Sequence, residues 1–402
     1  MARSSASSSE RLARGLSAAA VTRVYLDYGG FSPVDPRVVA LMRPFLEGGV
    51  GNRSALHSLG IEARASLDGA RGKVARLVAG APAGVIFTAS ATEANNLAVR
   101  GLAQRAPGRH IVASAVEHVS VLNACRDLEK RGYEISYVRV DREGRVDPGQ
   151  VAAALRADTA LVSIMAANGE IGAIQPLREI GRVTRERGVP FHVDAVGAAG
   201  RVPLNVEEAG IDLLTLSSND LCGPPGAGAL WVRPDVRVAP IILGGAQEGG
   251  LRSGTENLPA IVGMGVAADL ARNERAAESA RLTGLRDRLL GGLLERLPGA
   301  RLTGPPGERR LPHHASLVVP GVKADSVLME LDLRGVAASS GSACNIVTGE
   351  PSHVLRAIGC TREESEGSLC FTLGRWTAAG EIDFVLDAVP GVVSRLRRLA
   401  SS

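Results

Sequence analysis

The stretch that decides the fold is residues 190–232, PFHVDAVGAAGRVPLNVEEAGIDLLTLSSNDLCGPPGAGALWV. It holds three short apolar runs, which predict strands at Pro190–Val196, Leu213–Ser218 and Gly228–Val232. Polar segments rich in glycine and proline separate these runs, as is typical of loops between elements.

The same alternation extends towards the N-terminus. Further strands are predicted at Gly84–Thr88, His110–Ser114, Glu134–Val140 and Thr159–Ala167. Amphipathic segments such as Glu93–Gln104 and Leu177–Arg187 lie between them and predict helices. Strands that alternate with helices indicate an α/β domain with a mainly parallel sheet and helices on both faces.

The chain changes character after Gly254. A long helical region is predicted from Glu256 to Arg296, with a break near Asn273–Ala277, followed by a Pro/Gly-rich link at Leu297–Gly307. The remaining elements are strands at Ala315–Val319, Gly335–Ser339 and Leu369–Leu373, and helices near Ser326–Leu331, Ser352–Ile358 and Glu381–Leu399. This mixture predicts a smaller α+β domain. We therefore expect a disordered tail at 1–22, a large domain at 23–275 and a small domain at 276–402.

Composition excludes several classes of protein. Aromatic residues make up only 3% of the 402 residues and the net charge is +4 with dispersed basic residues, which argues against a nucleic-acid-binding surface. No apolar run approaches the ~20 residues of a membrane span. Five cysteines do not form a disulfide framework in so long a chain, and they favour the reduced thiols of a cytoplasmic protein. Neither CxxC nor HExxH occurs, so no zinc site is encoded locally.

Three motifs follow predicted strands. Ala89–Asn96, ASATEANN, opens a helix whose N-terminus suits a phosphate, although simple capping of that helix by Thr92 is an equal explanation. His118 follows a strand and is either catalytic or structural. Asp194 ends an apolar strand, where its carboxylate either pairs with a protonated ring nitrogen or caps a helix.

Two further segments combine small residues with a distinctive side chain. Ser217–Gly226, SSNDLCGPPG, is a tight loop after a strand. Ser339–Cys344, SSGSAC, places a thiol among serine and glycine, which favours an exposed and reactive cysteine over a buried one.

Together these motifs resemble one family, the cysteine desulfurases of the class V aminotransferase fold, which are pyridoxal-phosphate (PLP) enzymes of fold type I. The resemblance runs from Val24 almost to the C-terminus. Its ordered markers are Tyr25–Tyr28, Ala91–Glu93, Glu117–His118, Glu170–Gly172, His192–Ala195, Gly223–Pro224, Arg252–Thr255, Ser339–Cys344 and Leu373–Arg375.

The resemblance implies roles for particular residues. Ala91, Thr92 and Ser217 match phosphate ligands, His118 matches the histidine that stacks on the PLP ring, and Asp194 matches the carboxylate at the pyridinium nitrogen. Thr255 matches a phosphate contact given to the partner subunit, which implies a homodimer. Cys344 matches the cysteine that attacks the substrate sulfur and carries a persulfide.

The chain departs from the family pattern at four positions. Asp220 stands where a lysine forms the Schiff base with PLP, and an aspartate cannot act as that amine. Gly169 replaces an asparagine, Gly197 a glutamine, and Cys370 the arginine that clamps the substrate carboxylate. The three lysines of the chain, Lys73, Lys130 and Lys323, lie in none of the motifs.

These departures lead to a main hypothesis and two alternatives. The main hypothesis is a desulfurase-like protein of sulfur transfer or iron–sulfur cluster assembly, without lysine–PLP catalysis. Cys344 would carry a persulfide, or ligate a cluster whose other ligands come from a scaffold partner, with Cys222 and Cys370 as possible neighbours. The first alternative is an active PLP-dependent desulfurase that converts L-cysteine to L-alanine and an enzyme persulfide. The second is a pocket repurposed for another small molecule.

Overall fold

The computed structural model describes residues 23–48, 51–341 and 352–400. The predicted N-terminal tail and Cys344 lie outside these residues. Within the described part of the chain, none of the helices is both long enough and apolar enough to span a membrane.

A seven-stranded sheet forms the centre of the larger part of the molecule. Its strands are β2 (Val85–Thr88), β3 (His110–Ser114), β4 (Glu134–Val138), β5 (Thr159–Ser163), β6 (Phe191–Asp194), β7 (Leu213–Ser217) and β8 (Gly228–Val232). The spatial order is β2-β8-β7-β6-β5-β3-β4, and the sheet is parallel except that β8 runs antiparallel to both of its neighbours. The predicted α/β class with a mainly parallel sheet is confirmed.

Helices cover both faces of this sheet. They are α1 (Pro36–Leu46), α2 (Ser58–Leu77), α3 (Ala91–Ala103), α4 (Val119–Glu129), α5 (Pro148–Ala154), α6 (Leu177–Glu186) and α7 (Leu258–Arg296). One apolar core packs α2, α6 and the first part of α7 against the sheet, and another packs α3 and α4 against the opposite face. The central strands are buried on both sides, which explains why they appear in the sequence as continuous apolar runs.

The C-terminal part is a smaller α+β arrangement. Its strands are β9 (Arg301–Leu302), β10 (His314–Val318), β11 (Val336–Ala337) and β12 (Ser368–Thr372), and its helices are α8 (Ala324–Leu333), α9 (His353–Ala357), α10 (Arg362–Glu366) and α11 (Ala379–Ala400). β9, β10 and β12 form an antiparallel sheet, while β11 pairs with β1 (Val24–Tyr25). Val24 and Leu26 therefore pack in the C-terminal core although they open the described chain.

The predicted break near Asn273–Ala277 is wrong. α7 runs without interruption for 39 residues and contributes Ala271 to one core and Leu282 to the other. The segment contains neither proline nor glycine, and its Glu, Arg and Ala residues favour a helix. Glu274 is also held at the junction, where Arg37 Nη1 donates to its Oε1 at 2.6 Å. The division of the chain at residue 275 remains a prediction, since that residue lies inside α7.

Candidate functional site

A cavity of about 300 Å³ lies at the carboxyl edge of the large sheet, between it and the C-terminal part. That edge is where ligands bind in open α/β sheets. Four predicted cofactor-binding residues line it, namely Ala91, Thr92, His118 and Asp194. All four positions that depart from the family pattern line it as well, namely Gly169, Gly197, Asp220 and Cys370. Ser217 and Thr255 are not among its lining residues, and Thr255 is exposed.

The turn between β2 and α3 presents two backbone amides at one end of the cavity. Ser90, not Thr92, caps the helix, because Ser90 Oγ accepts from the Glu93 amide at 3.2 Å. The amides of Ala91 and Thr92 have no hydrogen-bond partner in the described part of the chain. Free amides at a helix N-terminus bind phosphate readily.

A hydrogen-bonded chain joins His118 to Asp194 across one side of the cavity. The Ser120 amide donates to His118 Nδ1 at 3.2 Å, and the Ser120 hydroxyl lies 2.7 Å from the same atom. Asn95 Nδ2 donates both to Ser120 Oγ at 2.9 Å and to Asp194 Oδ2 at 2.7 Å. Because Nδ1 accepts from the Ser120 amide, the proton of the neutral His118 ring lies on Nε2.

Asp194 is held as a carboxylate acceptor at the end of β6. Its Oδ1 accepts from the Val196 amide at 3.0 Å, and its side chain is buried. No helix begins at Asp194, so the capping alternative is wrong and the carboxylate faces the cavity. Such a carboxylate stabilises a protonated nitrogen of a bound ring.

Asp220 occupies a short 3₁₀ turn, Asn219–Leu221, directly after β7. Its side chain is only 16% exposed, and its Oδ1 lies 3.9 Å from Arg201 Nη1. Burial raises the pKa of the Asp220 carboxyl above its usual value, while Arg201 and the hydroxyl of Ser217 oppose that rise. Ser217 therefore contacts Asp220, and no contact with the cavity supports its predicted role as a phosphate ligand.

Cys370, at the position where the resemblance implies an arginine, is uncharged. Cys370 is buried, its Sγ lies 3.3 Å from His314 Nε2, and burial raises the pKa of its thiol to about 12. His314 Nε2 also lies 3.0 Å from the Gly169 carbonyl oxygen, and burial lowers the pKa of this histidine to about 3. Cys370 is therefore a neutral thiol beside a neutral imidazole, and it cannot bind a carboxylate as an arginine does.

The sequence did not single out three polar side chains of the cavity. Arg201 is the counter-ion of Asp220, and Asn95 connects His118 with Asp194. His313 is buried, and its Nδ1 has no hydrogen-bond partner in the described part of the chain. Only Asn95 carried a signal, since it lies within the quoted ASATEANN motif.

The cysteines do not form a common site in the described structure. Cys222 lines a second, smaller cavity beside Tyr28, whereas Cys370 lines the large one, and the two cavities have Arg201 and Asp220 in common. Among the residues with described positions, no group of three or more His, Cys, Asp or Glu side chains is arranged to hold a metal ion. The possible participation of Cys344 in a cluster stays a prediction.

PLP, the cofactor expected for the family, fits this cavity only in part. The free amides of Ala91 and Thr92 suit its phosphate, and Asp194 suits its ring nitrogen. No lysine is among the residues that line the cavity, and Asp220 stands at the attachment position. Covalent attachment of PLP therefore does not fit the described residues.

The comparisons with known proteins agree on the family. The model of the aminotransferase class-V family matches residues 24–384. Cysteine desulfurase IscS 1 of Archaeoglobus fulgidus is 45% identical over 378 residues, which cover 94% of this chain and 98% of that protein. Cysteine desulfurase IscS of Dictyoglomus turgidum is 43% identical over 379 residues, covering 94% and 96%.

Two solved structures extend this similarity to three dimensions. A NifS-like protein has a TM-score of 0.87 and 33% identity, covering 93% of this chain and all of that chain. The structure described as SspA in complex with cysteine has a TM-score of 0.77 and 32% identity, covering 88% of this chain and all of that chain. The chain therefore belongs to the cysteine desulfurase family, with the class V aminotransferase fold.

Proposed function

We propose that this protein transfers sulfur for iron–sulfur cluster assembly through Cys344, without lysine-bound PLP. The observation that carries the second part of the proposal is the buried Asp220–Arg201 pair at the attachment position. An aspartate has no amine to offer, and the three lysines of the chain do not line the cavity.

Cys344 would act as a sulfur acceptor. Its thiolate attacks the outer sulfur of a donor persulfide, so that a new S–S bond forms at Cys344 and the donor leaves as a thiol. The persulfide then passes to a scaffold protein. One cysteine cannot hold an iron–sulfur cluster alone, so cluster ligation by Cys344 would also require a partner with further ligands.

The competing function is that of an active PLP-dependent cysteine desulfurase. The names of the most similar proteins favour this alternative more directly than the main proposal, since they are cysteine desulfurases. It is also favoured by the retained His118 and Asp194. This alternative requires a route that replaces the lysine at position 220.

One experiment separates the two functions. The purified protein is incubated with PLP and L-cysteine, and L-alanine is measured; a second sample is reduced with borohydride and examined by mass spectrometry. Under the main proposal, neither L-alanine nor a pyridoxyl-lysine adduct forms. Stoichiometric adduct or catalytic release of L-alanine would establish the alternative.

The role of Cys344 is tested with three matched variants, Cys344→Ala, Cys222→Ala and Cys370→Ala. Each is mixed with a small-molecule persulfide, and sulfur bound to the protein is quantified by mass spectrometry. Only Cys344→Ala should abolish loading, because the other two thiols are partly or fully buried and burial raises their pKa values. Unchanged loading in Cys344→Ala would contradict the proposal.

We propose further that the protein is a cytoplasmic homodimer. Leu56 and Leu243 are 92% and 82% exposed in the single chain. Covering such side chains at a subunit interface would be favourable, because it removes apolar surface from water. Thr255 is also exposed, as a residue that reaches a partner subunit must be.

A further inference from the structure

We infer that the cavity binds pyridoxamine 5′-phosphate, the amine form of the cofactor, without covalent attachment, and that Asp220 holds its ammonium group. This inference concerns the cavity alone and does not depend on sulfur transfer by Cys344.

The cavity offers a different partner to each end of such a ligand. The free amides of Ala91 and Thr92 suit a phosphate, as described above. Asp194 suits a protonated ring nitrogen, and its geometry is fixed by Asn95 and the Val196 amide. Asp220 then adds a second carboxylate, at the position where the family attaches the carbon that carries the aldehyde or amine.

Asp220 is available to a cation. Its contact with Arg201, at 3.9 Å, is longer than a hydrogen bond, and the Ser217 hydroxyl can occupy only one of the acceptor positions of the two carboxylate oxygens. An aldehyde presents no N–H to this carboxylate, whereas the aminomethyl group of pyridoxamine 5′-phosphate presents a charged one. A charge-assisted hydrogen bond in a site so little exposed to solvent favours the amine form.

Unpartnered buried atoms point the same way. Asn95 lines the cavity and is 1% exposed, and both hydrogens of its amide nitrogen are used within the protein. Its Oδ1 has no hydrogen-bond partner in the described part of the chain. A carbonyl oxygen only accepts, so this atom requires a ligand that donates N–H or O–H groups.

The charges of the cavity also favour a ligand that carries a cationic group. Asp194 and Asp220 are opposed by Arg201, and His313 stays neutral because burial and the neighbouring Arg201 lower its pKa. Asp27 also lines the cavity, as do Glu117 and Glu170, whose pKa values burial raises to about 8. Acidic side chains therefore outnumber Arg201 in the lining. A ring nitrogen and an ammonium that both carry protons offset this excess, while the helix N-terminus offsets the phosphate.

The test compares two ligands that differ in one group. Pyridoxamine 5′-phosphate and pyridoxine 5′-phosphate share the ring and the phosphate, but the second has a hydroxyl in place of the ammonium. Binding to the full-length protein is measured by titration calorimetry. We expect the amine to bind about ten- to hundred-fold more tightly than the alcohol, the usual value of a hydrogen bond between charged groups.

Variants show whether Asp220 is the source of that preference. Asp220→Asn, which keeps the shape and removes the charge, should abolish the preference while the alcohol binds as in the parent. Asp325→Asn, an exposed carboxylate of α8, serves as the matched control and should leave both affinities unchanged. Cys344→Ala should also bind both ligands as the parent does, which separates this test from that of sulfur transfer.

Three outcomes would overturn the inference: equal affinity of the parent for the two ligands, no binding of either, or a preference that persists in Asp220→Asn. The comparison between ligands in the parent does not depend on the folding of any variant. Binding of the alcohol by Asp220→Asn confirms that this variant retains a folded cavity.

Discussion

Replacing Arg201 with methionine should destabilise the protein, because it leaves the Asp220 carboxylate buried without its counter-ion. The two side chains are 12% and 16% exposed and lie 3.9 Å apart. At an effective dielectric constant of about 20, a pair of unit charges at this distance interacts by about 4 kcal/mol. Protonation of Asp220 relieves part of this cost, so we expect a loss of about 2–4 kcal/mol at pH 8.

The loss should shrink as the pH falls. Burial raises the pKa of Asp220 in the folded protein, and removal of Arg201 raises it further. A carboxyl whose pKa is raised on folding binds protons more tightly in the folded state, so stability decreases as the pH rises from the unfolded towards the folded pKa. Arg201→Met should therefore approach the parent near pH 5 and differ most at pH 8.

The assay is urea unfolding of the parent, Arg201→Met, Asp220→Asn and the double variant at both pH values. The double variant should recover most of the stability lost at pH 8, because neither charge then remains. Two results would refute the coupling of these residues. In the first, the stability lost in Arg201→Met does not change with pH. In the second, the losses of the two single variants add up in the double variant to within about 0.5 kcal/mol.

Three further predictions concern the cavity and the assembly. The variant Asp220→Lys, incubated with PLP and reduced with borohydride, should give a pyridoxyl-lysine adduct at residue 220, because the neighbouring Arg201 favours the neutral form of the lysine amine. Absence of this adduct would mean that position 220 does not reach the cofactor. The variant Cys370→Arg should lower the free energy of unfolding by about 1–3 kcal/mol, because residue 370 is only 5% exposed. Thermal unfolding is measured with Cys370→Ala as the control, and an unchanged unfolding temperature in Cys370→Arg would show that the cavity has room for the larger side chain. Sedimentation velocity at micromolar concentration should show a dimer, and a monomer alone would count against the proposed homodimer.

The sequence predicted the strands of the large sheet well and their ends less well. Thr159–Ala167 was predicted as one strand, but the regular ladder of β5 ends at Ser163. The apolar run continues because Met165 and Ala167 pack beneath the cavity, which they also line. Apolar composition reports burial, and it does not distinguish a strand from a buried segment that follows one.

The helix α1 was not predicted, and a contact distant in sequence helps to explain why. α1 contains Pro44 and lacks a strong apolar period at its exposed end, where Leu41 and Leu46 face outward. The Asp35 side chain caps the helix through the Arg37 amide, and Arg37 also binds Glu274 of α7. The contact between Arg37 and Glu274 joins residues 237 positions apart, so no local pattern reveals it, whereas the Asp35 cap is local.

The site itself was only partly visible in the sequence. Asp220, Asp194 and His118 were identified from motifs, and the structure places all three around one cavity. Arg201 was not identified, because its significance lies in the distance to a residue 19 positions away. The role of Ser217 as a phosphate ligand stays a prediction from the motif, and its hydroxyl contacts Asp220 in the structure.

The altered positions change the charge of the cavity in one direction. Relative to the family pattern that the motifs suggest, Asp220 stands in place of a lysine and Cys370 in place of an arginine, which corresponds to two fewer cations and one more anion. Cys370 remains neutral because burial raises its pKa, and no residue lining the cavity replaces the lost clamp apart from Arg201, which is paired with Asp220. We expect a pocket with these charges to bind the carboxylate of an amino acid weakly and an ammonium group more tightly. The proposed absence of lysine-bound PLP and the proposed preference for a cationic ligand both rest on Asp220, which is why the binding of the amine form is the sharpest test of this cavity.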